Sequence, residues 1–306
     1  MTSIQEVLKI AQEGDGYLAV ERSSFVIRKL KRQKKINEAF AFLFQLSNTL
    51  LDLEKAVPSA VSAQRGIELL AQIGDTNISD EIIQIILSYI DKLKINHACP
   101  ELFNFFDDTI KLLGDDDLSI INKEALLADQ SNNFNTAQIV YIRIIKAILE
   151  KDEDVSQIVQ KLDKLLWRWI YSIENGKKRI YTGQFILSRC SLAISAQGVK
   201  GLTLALNYVD SLKENHSDQD IIISQPLLTF TRYFLKALNL NSPQSVSYLI
   251  NSYKKIIEVD REINKWVSKN KEVHFQSGLN MNTLRQNLSG IGELFQSLFG
   301  NATNNQ

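Results

Sequence analysis

The residue types that most often carry chemistry are thinly spread along this chain of 306 residues. Its three histidines, His97, His216 and His274, lie far apart, and none has a second histidine or a cysteine at metal-ligand spacing. That pattern predicts surface or rim positions and no metal site. Cys99 and Cys190 form no CxxC pair and nothing beside either implies a thiolate nucleophile; Cys190, inside an apolar run, reads as a small core residue. Carboxylates pair at Asp107 and Asp108 and cluster at Asp115, Asp116 and Asp117, in polar helix ends and loops where nothing lifts a pKa toward general-acid work. Neither GxxxxGK[ST] nor GxGxxG occurs, so no loop is built to cradle a nucleotide phosphate. The expectation is a chain with no catalytic residue, no cofactor and no metal.

One electrostatic feature stands out. Arg28-Lys29-Leu30-Lys31-Arg32-Gln33-Lys34-Lys35 lies in a stretch with no acidic residue between Ser23 and Asn37. On a helix, Arg28, Lys31, Arg32 and Lys35 fall at i, i+3, i+4 and i+7 and form one basic face, leaving Phe25, Val26 and Leu30 for the buried side. Like charges held together at a repulsive cost favour docking to an acidic protein, with a solvated helix face as the plainer alternative. Nucleic acid fits less well. No aromatic residue interleaves the run, and the whole chain is neutral, with 35 lysines and arginines against 35 aspartates and glutamates.

The elements that carry this run are helices. Four prolines and thirteen glycines are sparse punctuation, and apolar residues recur at helical spacing almost throughout. Across residues 80–94, Ile82, Ile86, Tyr89, Ile90 and Leu93 paint one face; Ala39, Phe42, Leu43, Leu46 and Leu50 repeat the rhythm, as do Val140, Ile144, Ala147 and Ile148. Roughly fifteen such segments with short connectors predict an all-α fold, a TPR-like α-solenoid of stacked hairpins, with a globular helical bundle as the competitor. Gly114 to Asp117 and Glu150 to Asp154 read as hairpin loops, and residues 300–306 as a fraying end. A chain of this length buries roughly 75% of its unfolded surface, so it needs no staples. Two cysteines without a secretory leader suggest a reducing compartment, and no apolar run approaches the length of a membrane span.

Gly14-Asp15-Gly16-Tyr17-Leu18-Ala19, with Lys35-Ile36-Asn37-Glu38-Ala39 after it, begins a series of segments that in order resemble the Golgi to ER traffic protein 4 family, cytosolic scaffolds of the pathway that inserts tail-anchored proteins into the ER membrane. The first is similar to the family's GDYYEAH, and the second follows at the family's distance. Leu165-Leu166-Trp167-Arg168-Trp169-Ile170 resembles LLWxWL of fungal members, and Ser224-Gln225-Pro226-Leu227-Leu228-Thr229-Phe230 resembles VQPLLNF. The apolar residues of 284–300 are similar to the C-terminal segment of animal members.

The resemblance implies a non-catalytic scaffold in the cytosol. Its N-terminal half, residues 1–150, would dock the pathway's homodimeric targeting ATPase; residues 151–281 would hold a ubiquitin-like adaptor, and through it a small glutamine-rich TPR co-chaperone. A large BAG-type chaperone stays open as a further partner. Nucleic acid and stable membrane insertion are not expected. The ATPase-facing candidates are Tyr17, Arg28, Lys31, Arg32 and Lys35, with Arg65 nearby in a stretch where Ser62 replaces an acidic residue; Ser24 and Phe25 stand where the family has arginine and threonine. The adaptor candidates are Ile221, Ile222, Ile223, Gln225 and Pro226, although the isoleucines read equally well as a buried lead-in to a helix starting at Ser224. Residues 282–306 carry Leu288, Ile291, Leu294, Phe295, Leu298 and Phe299 at helical spacing, for a partner's groove or a cap on the solenoid's end. Residues 269–278, polar and weakly periodic, read as their tether. A helical-repeat subunit of a proteasome-lid or signalosome type complex is the competing function, and an RNA-binding repeat the third.

Overall fold

The computed structural model describes residues 3–72, 78–114, 118–216 and 220–275, and among them every regular element is helical. Two compact units divide between Ala147 and Ile148. The first contains α1 (Ile4–Gln12), α2 (Gly16–Arg32), α3 (Ile36–Asp52), α4 (Ala56–Ala71), α5 (Asp80–Lys92), α6 (Pro100–Leu113) and α7 (Leu118–Gln130), and α8 (Phe134–Glu150) runs across the division. Each helix packs on the next or the next but one: α1 on α2 and α3, α2 on α3 and α4, α3 on α4 and α5, α4 on α6, and α5 and α6 on α7. This is the register of stacked hairpins, and it is why each apolar stripe finds a partner. The residues read as stripes are buried: Ala39, Phe42, Leu43, Leu46 and Leu50 in α3, and Ile82, Ile86, Tyr89 and Ile90 in α5. At the centre, Phe44 meets Tyr89 edge-on at 5.8 Å, Tyr89 meets Phe105 at 5.4 Å, and the Tyr89 hydroxyl bonds to Ser59 Oγ at 2.9 Å.

A backbone repeat organises the turns. Gly14, Lys34 and Glu54 each take a positive φ, at 96°, 60° and 58°, twenty residues apart, and Asn132 and Asp152 do the same at 57° and 58°. After each of them the next amide donates back across the helix end, Lys35 N to Leu30 O at 3.0 Å and Lys55 N to Leu50 O at 2.9 Å, which closes the helix in the left-handed manner usually given to glycine. The sequence conceals this period because four of the five residues are not glycine.

The second unit is α9 (Ser156–Tyr171), α10 (Gly176–Ser195), α11 (Val199–Asn215), α12 (Asp220–Ile223), α13 (Pro226–Asn239), α14 (Pro243–Ser252), α15 (Lys254–Ile257) and α16 (Arg261–Phe275). Helix α10 is its axis and packs on α9, α11, α12, α13 and α16. Here residues 269–275 depart from the tether expected of them: they are the end of α16, docked on α10. Asn270 is fully buried and donates to Leu192 O at 2.8 Å, and His274 lies 2.9 Å from Ser195 O. The segment reads as polar because its buried contacts are side-chain hydrogen bonds to helix backbone. The rest of the expected tether, and Leu288, Ile291, Leu294, Phe295, Leu298 and Phe299, lie outside the described residues. No helix among the described residues is long and apolar enough to cross a membrane.

Candidate docking sites

Helix α2 begins where Asp15 accepts the amide of Leu18 at 3.0 Å and ends with Lys29, Lys31 and Arg32 in its last turn, where cations oppose the partial negative charge of the helix terminus. The expected four-residue basic stripe is therefore shorter than one helix face. Arg28, Lys31 and Arg32 are exposed on α2, but the chain turns at Lys34, and Lys35 caps α3 and pairs with Glu38 at 2.9 Å. Phe25 also departs from expectation. It is 48% exposed, with the Arg28 guanidinium 4.8 Å from its ring centroid, whereas Val26 and Leu30 are buried as read.

The structure adds a second wall. Ser24, Ile27, Arg28 and Lys31 of α2 face Arg65, Glu68, Leu69 and Gln72 across a cavity of about 250 Å³. Arg65 Nη1 donates to Val20 O at 2.7 Å and reaches Ser24 Oγ at 3.4 Å, and Lys31 Nζ donates to Gln72 Oε1 at 2.7 Å. Thus Arg65 sets a cation beside position 24, where the arginine expected from the resemblance is missing. Three cations face one carboxylate, Glu68, in this groove. Tyr17 is 68% exposed on the same helix; at ~100° and ~1.5 Å per residue it lies about 20° from Arg28 around the axis and about 16 Å before it. Ser62 is buried and donates to Leu43 O at 3.0 Å, so it stabilises the α3–α4 contact and presents nothing to a partner.

In the second unit the isoleucine run divides. Ile222 and Ile223 are buried, and Ile222 fills the space over Gly183, where an added Cβ would stand 3.0 Å from it. They belong to the core and cannot contact an adaptor in this conformation. Ile221 is 62% exposed, Gln225 caps α13 and donates to Ile221 O at 2.7 Å, and Pro226 opens α13 on the surface. A three-residue edge of Ile221, Gln225 and Pro226 is what the surface offers there. Nearby in sequence, His216 stacks on Trp167 with centroids 4.4 Å apart and meets Asp163 Oδ2 at 2.9 Å, and Tyr208 donates to Asp163 Oδ1 at 3.1 Å.

Two readings of chemically capable residues change. His97 is buried, not at the rim: its Nδ1 accepts from Lys94 N at 3.0 Å, and burial lowers its pKa against the opposing pull of Glu54. Asp107 and Asp108 lie within α6, where Asp108 accepts from Gln64 at 3.0 Å and Asp107 pairs with Arg143 at 3.0 Å. Asp115 to Asp117 lie outside the described residues. The carboxyl that sequence reading passed over is Glu124, 1% exposed on α7; desolvation raises its pKa to about 8 despite Arg143, whose Nη1 is 3.6 Å away. Its signal, one acid within Ile120, Ile121, Ala125 and Leu127, was present but unremarked. Among the described residues no group of three or more histidines, cysteines and acids could hold a metal ion.

No family model and no curated protein matches the sequence. Among solved structures the chain is similar to the crystal structure of C. therm. Get4, with a TM-score of 0.52 and 16% identity over 100% of this chain and 99% of that one. The shared fold is an all-α solenoid of the Get4 kind, reached at an identity where fold alone is informative.

Proposed function

We propose that the chain is a non-catalytic cytosolic scaffold of tail-anchored protein targeting, whose α2–α4 groove docks a targeting ATPase and whose second unit holds a ubiquitin-like adaptor. The observation that carries this reading is the convergence of Arg28, Lys31 and Arg65 in one groove, with Tyr17 exposed on the same helix. A groove with excess positive charge suits an acidic helix or loop of a partner, because complementary charge speeds encounter and fixes register. The likeness to C. therm. Get4 over the full chain supports the same assignment. For the adaptor, Ile221, Gln225 and Pro226 form the candidate edge, two exposed apolar side chains with one half-buried amide between them. Bringing an ATPase and a client-bearing complex together raises their effective concentration without bond chemistry. The test is binding of the purified ATPase to the wild-type chain and to Arg28→Glu/Lys31→Glu. At least a tenfold loss with unchanged helicity is expected, and unaltered affinity removes the groove from the account.

A further inference from the structure

A second cavity of about 240 Å³ lies among α6, α7 and α8, and no part of the proposed scaffolding role uses it. Glu124 borders it, and although that side chain is almost wholly buried, its Oε2 has no hydrogen-bond partner. Buried carboxylates are rarely left so. The local cation is already divided: Arg143 bonds Asp107 at 3.0 Å and approaches Glu124 only to 3.6 Å, beyond hydrogen-bond range. One guanidinium thus serves two carboxyls, and its own Nη1 also lacks a hydrogen-bond partner.

The walls suit a particular shape. Among its lining residues Phe103 and Ile139 are apolar, Asn133 and Thr136 are neutral and polar, and Asp107 and Glu124 are the two acids. A water needs roughly 10–15 Å³ on this measure, so the space admits several non-hydrogen atoms. We propose that this cavity is a binding site for a primary alkylammonium group, whose methylenes lie against Phe103 and Ile139 while its three N–H donors reach Glu124 Oε2, Asp107 and the Asn133 or Thr136 oxygen. The ligand supplies the second cation that Asp107 and Glu124 lack between them. Two sources present this group, the side chain of a protein lysine and a free aliphatic diamine. Burial pushes the Glu124 carboxyl up to about 8, so below that pH binding of the ammonium releases a proton and strengthens as pH rises. This inference stands independently of the proposed ATPase and adaptor.

The experiment is a methyl-NMR titration of the full chain, following Thr136, Ile139 and Val140. N-acetyl-lysine-N-methylamide is added in one arm, 1,4-diaminobutane in another, and the uncharged N-acetyl-norleucine-N-methylamide in a third. Saturable shifts are expected with an ammonium compound and none with the norleucine amide, and the tighter of the two ammonium arms names the source. Glu124→Gln should weaken binding at least tenfold. Should that variant fail to fold, Ile139→Lys, made at an exposed position, should block added ligand by placing an ammonium of its own at the mouth. Absence of a saturable shift in both ammonium arms, equal binding of the norleucine amide, or undiminished binding by both variants overturns the assignment.

Discussion

Arg28 and Lys31 differ from Lys35 in a way their spacing does not reveal. The first two border the groove opposite Arg65, whereas Lys35 follows a left-handed turn and is paired with Glu38. Lys35→Glu should therefore change ATPase affinity less than threefold, while Arg28→Glu/Lys31→Glu lowers it at least tenfold and flattens its dependence on salt, as titration at 50 and 300 mM salt would measure. Glu124 gives a second test, in stability. The unfolded chain releases this proton near pH 4.5 and the folded chain near 8, so the folded state holds an extra proton across that window and stability falls as pH rises through it. Melting followed from pH 5 to 8 should show this slope in the wild type and a flatter profile in Glu124→Gln. The basic run was legible because charge is written directly in sequence. Arg65 as its opposite wall depends on which helices meet, and no local pattern carries that, whereas the burial of Glu124 has a local sign in its apolar neighbours Ile120, Ile121, Ala125 and Leu127.

At the scale of elements, the helices were legible wherever apolar periodicity was strong, as in α3 and α5, and obscure where polar groups make the contact. Helix α16 is the clearest case. Burial alone would raise the Asp260 carboxyl, but hydrogen bonds from Arg189 and the Ile263 amide, with the charge of Arg189, outweigh that and hold it below the usual range. Its contribution to stability is full above about pH 4 and is lost as pH falls through the lowered value. Asn270→Ala, which removes the bonds to Leu192 O and Trp266 O, should destabilise the second unit by about 1–3 kcal/mol in thermal or urea unfolding. In the first unit Gly66 allows α4 to lie against α3: an added Cβ would stand 2.7 Å from Phe44 Cε2. Phe44 is held by Phe40 at 4.6 Å and by Tyr89, so it cannot swing away, and Gly66→Val should cost roughly 1–3 kcal/mol or more. The twenty-residue turn period escaped the sequence for a related reason, since Lys34 and Glu54 occupy a conformation that glycine alone announces.

For the whole molecule, the all-α solenoid was legible from periodicity and spare punctuation together. The resemblance in short segments implies the same fold that the C. therm. Get4 structure shares at 16% identity. The groove between α2 and α4, on which the proposed ATPase docking rests, was not legible, because it forms only where two helices meet. If the two units divide the labour, a fragment of residues 1–150, shown to be helical, should bind the ATPase with near full-length affinity and fail to bind the adaptor. The central claim, that one chain bridges the two, is tested most directly by purifying the tagged full-length protein at low salt and identifying what is recovered in stoichiometric amount. The account predicts an arsenite-pump-like ATPase together with a ubiquitin-like protein; recovery of proteasome-lid or signalosome subunits in their place, or of neither expected partner, would contradict it.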